Sequence, residues 1–236
     1  MTDESVRREQ IATGLDAVRR RVAAAAARSG REGGEVTLVV VTKFFPASDV
    51  RILADLGVTD VGENRHPEAA DKQAACRDLD LRWHYIGGLQ SNKAAVVGSY
   101  ADVVESVDRL KLVAPLQRGA HDRGHDVDVL LQVGLDPPDR QGRSGADVAD
   151  LTALAQAVDD AGRLRLRGLM AVAPLDEEPA AAFARLARIH ADFCTDRPDA
   201  TWLSAGMSND FEAAIEAGAT HVRVGSAILG ARPEIQ

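Results

Sequence analysis

Two hydrophobic periods alternate along this chain. In residues 3–28, Ile11, Leu15, Val18 and Val22 recur at helical spacing and Gly30 ends the run, which predicts a long first helix. The Ala-rich tract 23–27 extends it with strong helix formers. Beyond it, short β-branched and apolar runs predict strands at 36–42, 60–62, 83–86, 103–106, 127–133, 167–172, 201–203 and 222–224. Helical patterns fall between them at 48–55, 67–76, 91–97, 108–121, 146–161, 179–193 and 210–217. Buried strands that alternate with helices indicate a parallel sheet. Eight such strands favour a closed (β/α)8 TIM-type barrel over an open doubly wound sheet, which more often has five or six strands. No GxGxxG follows the first strand, which weakens a dinucleotide reading further. The expected organisation is one domain over residues 1–236, with a helix in residues 1–30 packed on the barrel. Asp136-Pro-Pro-Asp-Arg-Gln-Gly reads as a βα loop within it.

Composition narrows the function class. The chain has 236 residues, 45% of them hydrophobic, enough for a sizeable core. Its net charge is −8, which argues against binding nucleic acid through phosphate neutralisation. Aromatic residues make up only 4%, too few for base-stacking platforms. Cys76 and Cys194 fit no metal or redox spacing and read as reduced thiols in partly buried helices. The start, Met-Thr-Asp-Glu, has no apolar leader, and no apolar run approaches the ~18 residues of a membrane span. A cytoplasmic protein without membrane contact is expected. His121 and His125 lack a third ligand, so no metal is expected there.

The candidate chemistry lies in the last quarter. Twice, a short strand runs into a Gly/Ser loop that opens a helix: first at Ser204–Ser208, then at Gly225-Ser226. Backbone N–H groups at such turns attract anions, and glycine lets a phosphate come close. In a barrel these are the loops after strands 7 and 8, a frequent phosphate site. Arg223, between Val222 and Val224, points to the opposite face from both. Closure brings strand 1 beside strand 8, and strand 1 ends in Lys43. A lysine at the end of an apolar strand is costly to bury unless it is paired or reacts, and a desolvated lysine traps carbonyls. Lysine, phosphate cradle and inward arginine together point to pyridoxal 5′-phosphate, with a phosphosugar barrel carrying a catalytic lysine as the alternative. An arginine at the pyridine nitrogen would discourage its protonation and weaken the ring as an electron sink.

Several blocks resemble the pyridoxal-phosphate homeostasis protein family, the YggS-like proteins: Val41-Thr-Lys43-Phe-Phe-Pro, Gly62-Glu-Asn64, Trp83-His-Tyr-Ile-Gly-Gly-Leu-Gln-Ser-Asn-Lys93, Glu105-Ser-Val-Asp-Arg109, Val129-Leu-Leu-Gln-Val, Gly168-Leu-Met170, Leu203-Ser-Ala-Gly-Met-Ser208 and Val222-Arg-Val-Gly-Ser226. They run in order over nearly the whole chain. The resemblance implies a barrel like the cofactor domain of alanine racemase, with a Schiff base on Lys43. It implies phosphate contacts from Ser208, Gly225 and Ser226, a ring contact from Arg223, and Asn64 and Met207 near the cofactor. The chain departs from the family wording at Phe45, where a second lysine is usual, and at Arg65, Gly134, Arg143, Ala205 and Ser226. These changes put secondary sites built on surface lysines in doubt.

Simpler readings accompany each residue. Lys43 could reach solvent, Ser208 could cap the helix near Asp210, Arg223 could pair with a carboxylate such as Glu63, and Met170 could be core. Trp83-His84 and Gln90–Lys93 could pack and cap, or line the cofactor rim. Two functions follow from the resemblance. One is a non-catalytic carrier that holds pyridoxal phosphate for intracellular homeostasis and passes it on, through transient contact with apo-enzymes. The other is an amino-acid racemase or related lyase-type enzyme. Alanine racemase uses a tyrosine from a separate C-terminal domain as its second acid/base group. Here the chain stops soon after the eighth repeat, and only Tyr85 and Tyr100 are present. A single base does not readily protonate the opposite face, so the carrier, as a monomer, is the expectation.

Overall fold

The computed structural model describes residues 3–136 and 145–231. Helix α1 spans Asp3–Arg28, as its periodicity predicts. Eight parallel strands follow: β1 Thr37–Val41, β2 Asp60–Glu63, β3 Arg82–Tyr85, β4 Val103–Val107, β5 Val127–Gln132, β6 Leu164–Met170, β7 Trp202–Ser204 and β8 His221–Val224. They close into a barrel in sequence order, with β8 hydrogen-bonded to β1 through the pairs Val39–Arg223 and Val40–Val224. The connecting helices are α2 Ala47–Asp55, α3 Glu68–Ala75, α4 Ala94–Gly98, α5 Val113–Arg123, α6 Leu151–Asp159, α7 Pro179–Asp196 and α8 Phe211–Glu216, and a single turn, α9 Ser226–Leu229, follows β8.

Strand alternation explains the two layers. Val40, Val61, Trp83, Val222 and Val224 point outward into a buried cluster with Ile11, Leu15, Val18 and Val22 of α1. That helix therefore covers the outside of the seam where the last strand meets the first. Arg7 fastens its start by bonding the Asp49 carboxylate of α2 and the Leu229 carbonyl of α9. A second cluster, from Tyr85 and Val104 round to Leu203, packs the other side of the barrel against α4–α8. Inward positions include the buried Asp60, His84, Glu105, Ser204 and Arg223, and Val103, Leu130 and Met170, with Val172 and Trp202 against them, form an apolar patch there.

Three differences from the sequence reading have local causes. Strand β6 starts at Leu164, earlier than position 167, because Arg165 and Arg167, which pair with Asp128 on the adjacent strand β5, mask the strand pattern. The register slips between Val129 and Leu130 on the neighbouring strand. Helices α5 and α6 begin later than predicted, since short 3-10 turns at Leu110–Leu112 and Val148–Asp150 lead into them. No helix among the described residues is long and apolar enough to cross a membrane.

Candidate functional site at the β8–β1 seam

Strand β1 delivers Lys43 to the C-terminal rim, half-buried, two residues past Val41. Its neighbours on both sides are tied down. The Thr42 hydroxyl donates to Glu63 Oε1 at 2.6 Å, and Lys72 of α3 donates to the Thr42 carbonyl at 2.8 Å. Lys72 also pairs with Glu63 at 2.5 Å, both side chains almost wholly buried. Phe44 lies at φ +70°, rare for a bulky residue, and its N–H donates to Glu68 Oε1 at 2.8 Å. Burial pushes the Glu63 carboxyl above its ordinary value, and the Lys72 ammonium opposes that shift. A lone charge would be costly at this depth, so Glu63 and Lys72 act as a pair.

The two Gly/Ser loops meet across the same seam. Ser208 Oγ accepts the Gly225 N–H at 3.4 Å and lies 3.2 Å from Ser226 Oγ. A Cβ on Gly225 would stand 3.0 Å from the Val41 carbonyl, so the loop lies flat against the end of β1 only because this residue is glycine. In the other loop Gly206 takes φ +88°, and a Cβ there would press on Phe211 and Ala214 at 2.7 Å. Ser208 is not the cap of α8. Asp210 stands at that position and accepts the Met207 N–H at 2.6 Å, which leaves the Ser208 hydroxyl turned toward β8. Met207 is largely exposed beside it.

Arg223 points into the barrel, 4% exposed. One Nη donates to Ser204 Oγ at 2.6 Å and the other to the Ala171 carbonyl at 3.0 Å. Its carboxylate neighbour is Glu105 of β4, at 3.7 Å, and not Glu63, which turns outward to α3. Ser204 Oγ donates in turn to Glu105 at 2.6 Å. The other Glu105 oxygen meets His84 Nδ1 at 2.7 Å, and His84 Nε2 meets Asp60 at 3.0 Å. His84 is thus an interior bridge between two carboxylates. Burial works against its charge, but bonds to Asp60 and Glu105 overcome this and raise its pKa. Burial would likewise raise Glu105, yet the His84 bond, with Arg223 and Ser204, holds it at about 2. Burial pulls Arg223 below its ordinary range, against the attraction of Glu105. His221, one layer below and tilted over Trp202 at 4.4 Å, is pushed down to about 4 by burial.

Asn64 sits just past β2, with its Oδ1 buried and without a hydrogen-bond partner among the described residues. A cavity of about 800 Å³ opens beside the Lys43 loop, lined by Phe44, Phe45, Arg65, His66 and Lys72 among others. None of the predicted contact residues lines it, so it flanks the cradle without being part of it. Phe45 is buried under the Arg7 guanidinium, 5.5 Å from the ring centroid, and Arg65 lies 5.8 Å over Phe44. Arg143 lies outside the described residues. Met170 is interior core and His121 is exposed. No group of three or more His, Cys, Asp or Glu among the described residues is placed to hold a metal ion.

The sequence reading singled out Lys43, Ser208, Arg223, Gly225 and Ser226, and they gather at one seam. It missed the chain Asp60–His84–Glu105–Ser204. The signal was present: each of these acidic or imidazole side chains interrupts an otherwise buried strand, and such groups are kept inside only when paired.

Comparison with known proteins places this chain in a family. The profile of the alanine racemase N-terminal domain family matches residues 14–233. The pyridoxal phosphate homeostasis protein of Mycobacterium tuberculosis is 40% identical over 243 residues, covering 96% of this chain and 94% of that protein. The protein of the same name from Escherichia coli K12 is 40% identical over 228 residues, 94% of this chain and 97% of its own. The chain belongs to the pyridoxal phosphate homeostasis protein family. Its barrel superposes on PipY of Synechococcus elongatus PCC7942, solved with PLP bound, with a TM-score of 0.80 and 36% identity over 93% of this chain and 100% of that one. An alanine racemase from Streptomyces coelicolor A3(2) shares the fold alone, with a TM-score of 0.69 and 22% identity over 93% of this chain but 59% of that one.

Proposed function

We propose that this protein holds pyridoxal 5′-phosphate as a Schiff base on Lys43 and serves as a cofactor reserve that passes it to apo-enzymes, without robust turnover of its own. The observation that carries this reading is the pairing of β1 with β8, which sends the Lys43 loop and the Ser208–Gly225–Ser226 cradle out of neighbouring strand ends. The residues fit the group. Two hydroxyls and a glycine N–H suit a phosphate, and the glycine leaves room that a Cβ would fill. The unpaired Asn64 Oδ1 offers an acceptor at the rim. Arg223 supplies N–H donors to the pyridine nitrogen and no acceptor, so this nitrogen binds unprotonated. PLP, when bound, brings an electrophilic aldehyde and an electron-accepting ring. The Lys43 amine would be the group to take up that aldehyde, and Ser208, Gly225 and Ser226 would anchor the far end. The family membership and the PLP-bound PipY support the reading.

Racemase chemistry is the second reading. It needs an acid/base group on each face of the substrate. The two tyrosines of this chain, Tyr85 and Tyr100, lie in the outer core between barrel and helices, and burial raises the pKa of both. Neither is placed to act at the mouth. Added pyridoxal phosphate should give the wild-type protein a visible band distinct from the free compound, and Lys43→Ala should abolish it; matching spectra would sink the proposal. Amino-acid racemisation should be negligible. Robust turnover that disappears with Lys43→Ala would make the protein an enzyme instead. Sedimentation at micromolar concentration should show a monomer.

A further inference from the structure

We propose that Glu105 is a positioning residue for Arg223: through Ser204 it fixes the guanidinium, and its charge tempers the positive potential that Arg223 presents to a bound ring. The inference rests on the reading of Arg223 as the ring-nitrogen contact.

Three observations carry it. First, the Ser204 hydroxyl has one proton, and it goes to Glu105. That leaves an oxygen lone pair for Arg223, which donates to the same atom. The carboxylate therefore sets the direction in which Ser204 can accept, and so where one arm of the guanidinium rests. Second, Arg223 has its nearest counter-charge in Glu105, at 3.7 Å and without direct hydrogen-bond contact. Its N–H groups are then balanced electrically but not consumed by a bidentate pair, so donors remain for a ligand. Third, Glu105 is itself immobile. It is wholly buried, and its second oxygen is held by His84, which is braced on Asp60.

The groups that face Glu105 can be named element by element. They are His84 on β3, Ser204 on β7, and His221 and Arg223 on β8; behind them, Asp60 on β2 braces His84, Arg82 on β3, paired with Asp128 on β5, acts on His221, and Asp210 ahead of α8 acts on Arg223. With Asp60 and Glu105 ionised and His84 and Arg223 protonated, the chain from Asp60 to Arg223 is neutral. Removing the Glu105 charge leaves an excess positive charge next to the ring position. Removing Arg223 leaves an excess negative one. The two changes should move any protonation equilibrium of the bound cofactor in opposite directions.

The experiment measures the pH midpoint of the bound cofactor's visible band, and the affinity for pyridoxal phosphate, in wild type, Glu105→Gln, Arg223→Ala and the double variant. Glu105→Gln keeps the shape and removes the charge. Its midpoint should fall by on the order of half a unit to one unit, since His84 can still stay charged against Asp60. Arg223→Ala should raise the midpoint; the double variant, neutral again, should return toward the wild-type midpoint but keep the affinity of Arg223→Ala, because Glu105 positions the ring contact only through Arg223. A shift in Arg223→Ala with none in Glu105→Gln overturns the role of Glu105 and leaves the ring contact standing. No shift in Arg223→Ala overturns the ring contact and this inference with it. A loss of affinity on Glu105→Gln that is equally large in the Arg223→Ala background shows that Glu105 acts without Arg223, and also overturns it. If Glu105→Gln does not fold, Glu105→Asp serves in its place. It keeps the charge but shortens the reach, so affinity should fall severalfold while the midpoint stays at the wild-type value. A moved midpoint or an unchanged affinity counts against the proposal.

Discussion

Glu105 and His221 are buried one layer apart, yet pH acts on them through opposite charges. The folded-state pKa of Glu105 is depressed to about 2 from an ordinary 4.5. Its contribution is present above the unfolded value and is lost as pH falls through the folded one. His221 is depressed to about 4 from 6.5, so the folded state prefers it neutral. Its penalty for protonation starts as pH drops below 6.5. Acid should therefore destabilise this protein in two stages. Denaturant titrations from pH 7 to 3 should show a loss already between pH 6.5 and 4, which His221→Gln reduces. A further loss below pH 4.5 should be blunted in Glu105→Gln. His84 behaves the other way. Its raised pKa means that its contribution is present below 6.5 and fades as pH rises through the folded value. A flat stability curve from pH 7 to 4 would contradict the assignment of His221.

Among the elements, the β1 end and the loop after β7 carry the most consequence for the site. Lys72 reaches from α3 to hold the Thr42 carbonyl and the Glu63 carboxylate. Lys72→Met should cost about 3 kcal/mol at pH 7, because it strands a buried charge. The cost should shrink at pH 5, since Glu63 already sits above the ordinary carboxyl range and then takes up a proton. Cofactor affinity should fall as well, because the Lys43 backbone loses its brace. Equal destabilisation at both pH values would show that Glu63 is not left charged. In the loop after β7, Gly206→Ala combines a positive φ with contacts at 2.7 Å. It should destabilise by about 1–3 kcal/mol and weaken phosphate anchoring by Ser208, as read from the urea midpoint and the binding isotherm.

Much of this was legible along the chain. Helix α1 was readable because one apolar face repeats over 26 residues, and the eight strands because buried parallel strands read as plain apolar runs. Lys43, Arg223 and the Gly/Ser loops stood out because each breaks such a run near its end. Of the interior bridge the parts were legible and the assembly was not: Asp60, His84 and Glu105 each break a buried strand, but they lie on three different strands and only closure makes them neighbours. For the same reason Glu63, the carboxylate suggested for Arg223, is not its partner: the barrel turns Glu63 outward to α3 and Glu105 inward.

For the whole molecule, binding at the seam should register as global stability. Ligand at a hundredfold excess over its dissociation constant adds about 2.7 kcal/mol. For a chain of this size that corresponds to roughly 5–10 °C in melting temperature. Pyridoxal phosphate should raise the melting temperature of the wild type by that order and of Lys43→Ala by far less. Equal shifts would mean that the compound binds elsewhere.

The β8–β1 seam has one more consequence, and it concerns time. Lys43 leaves the ribosome long before Ser226. A chain that stops before β8 lacks one half of the cradle, and α1 lacks the β8 side of the seam it covers. A nascent chain therefore offers its lysine without an anchor for the phosphate. Capture of the cofactor reports that β8 has been made and the barrel has closed, and chains halted before β8 should remain colourless however much pyridoxal phosphate surrounds them.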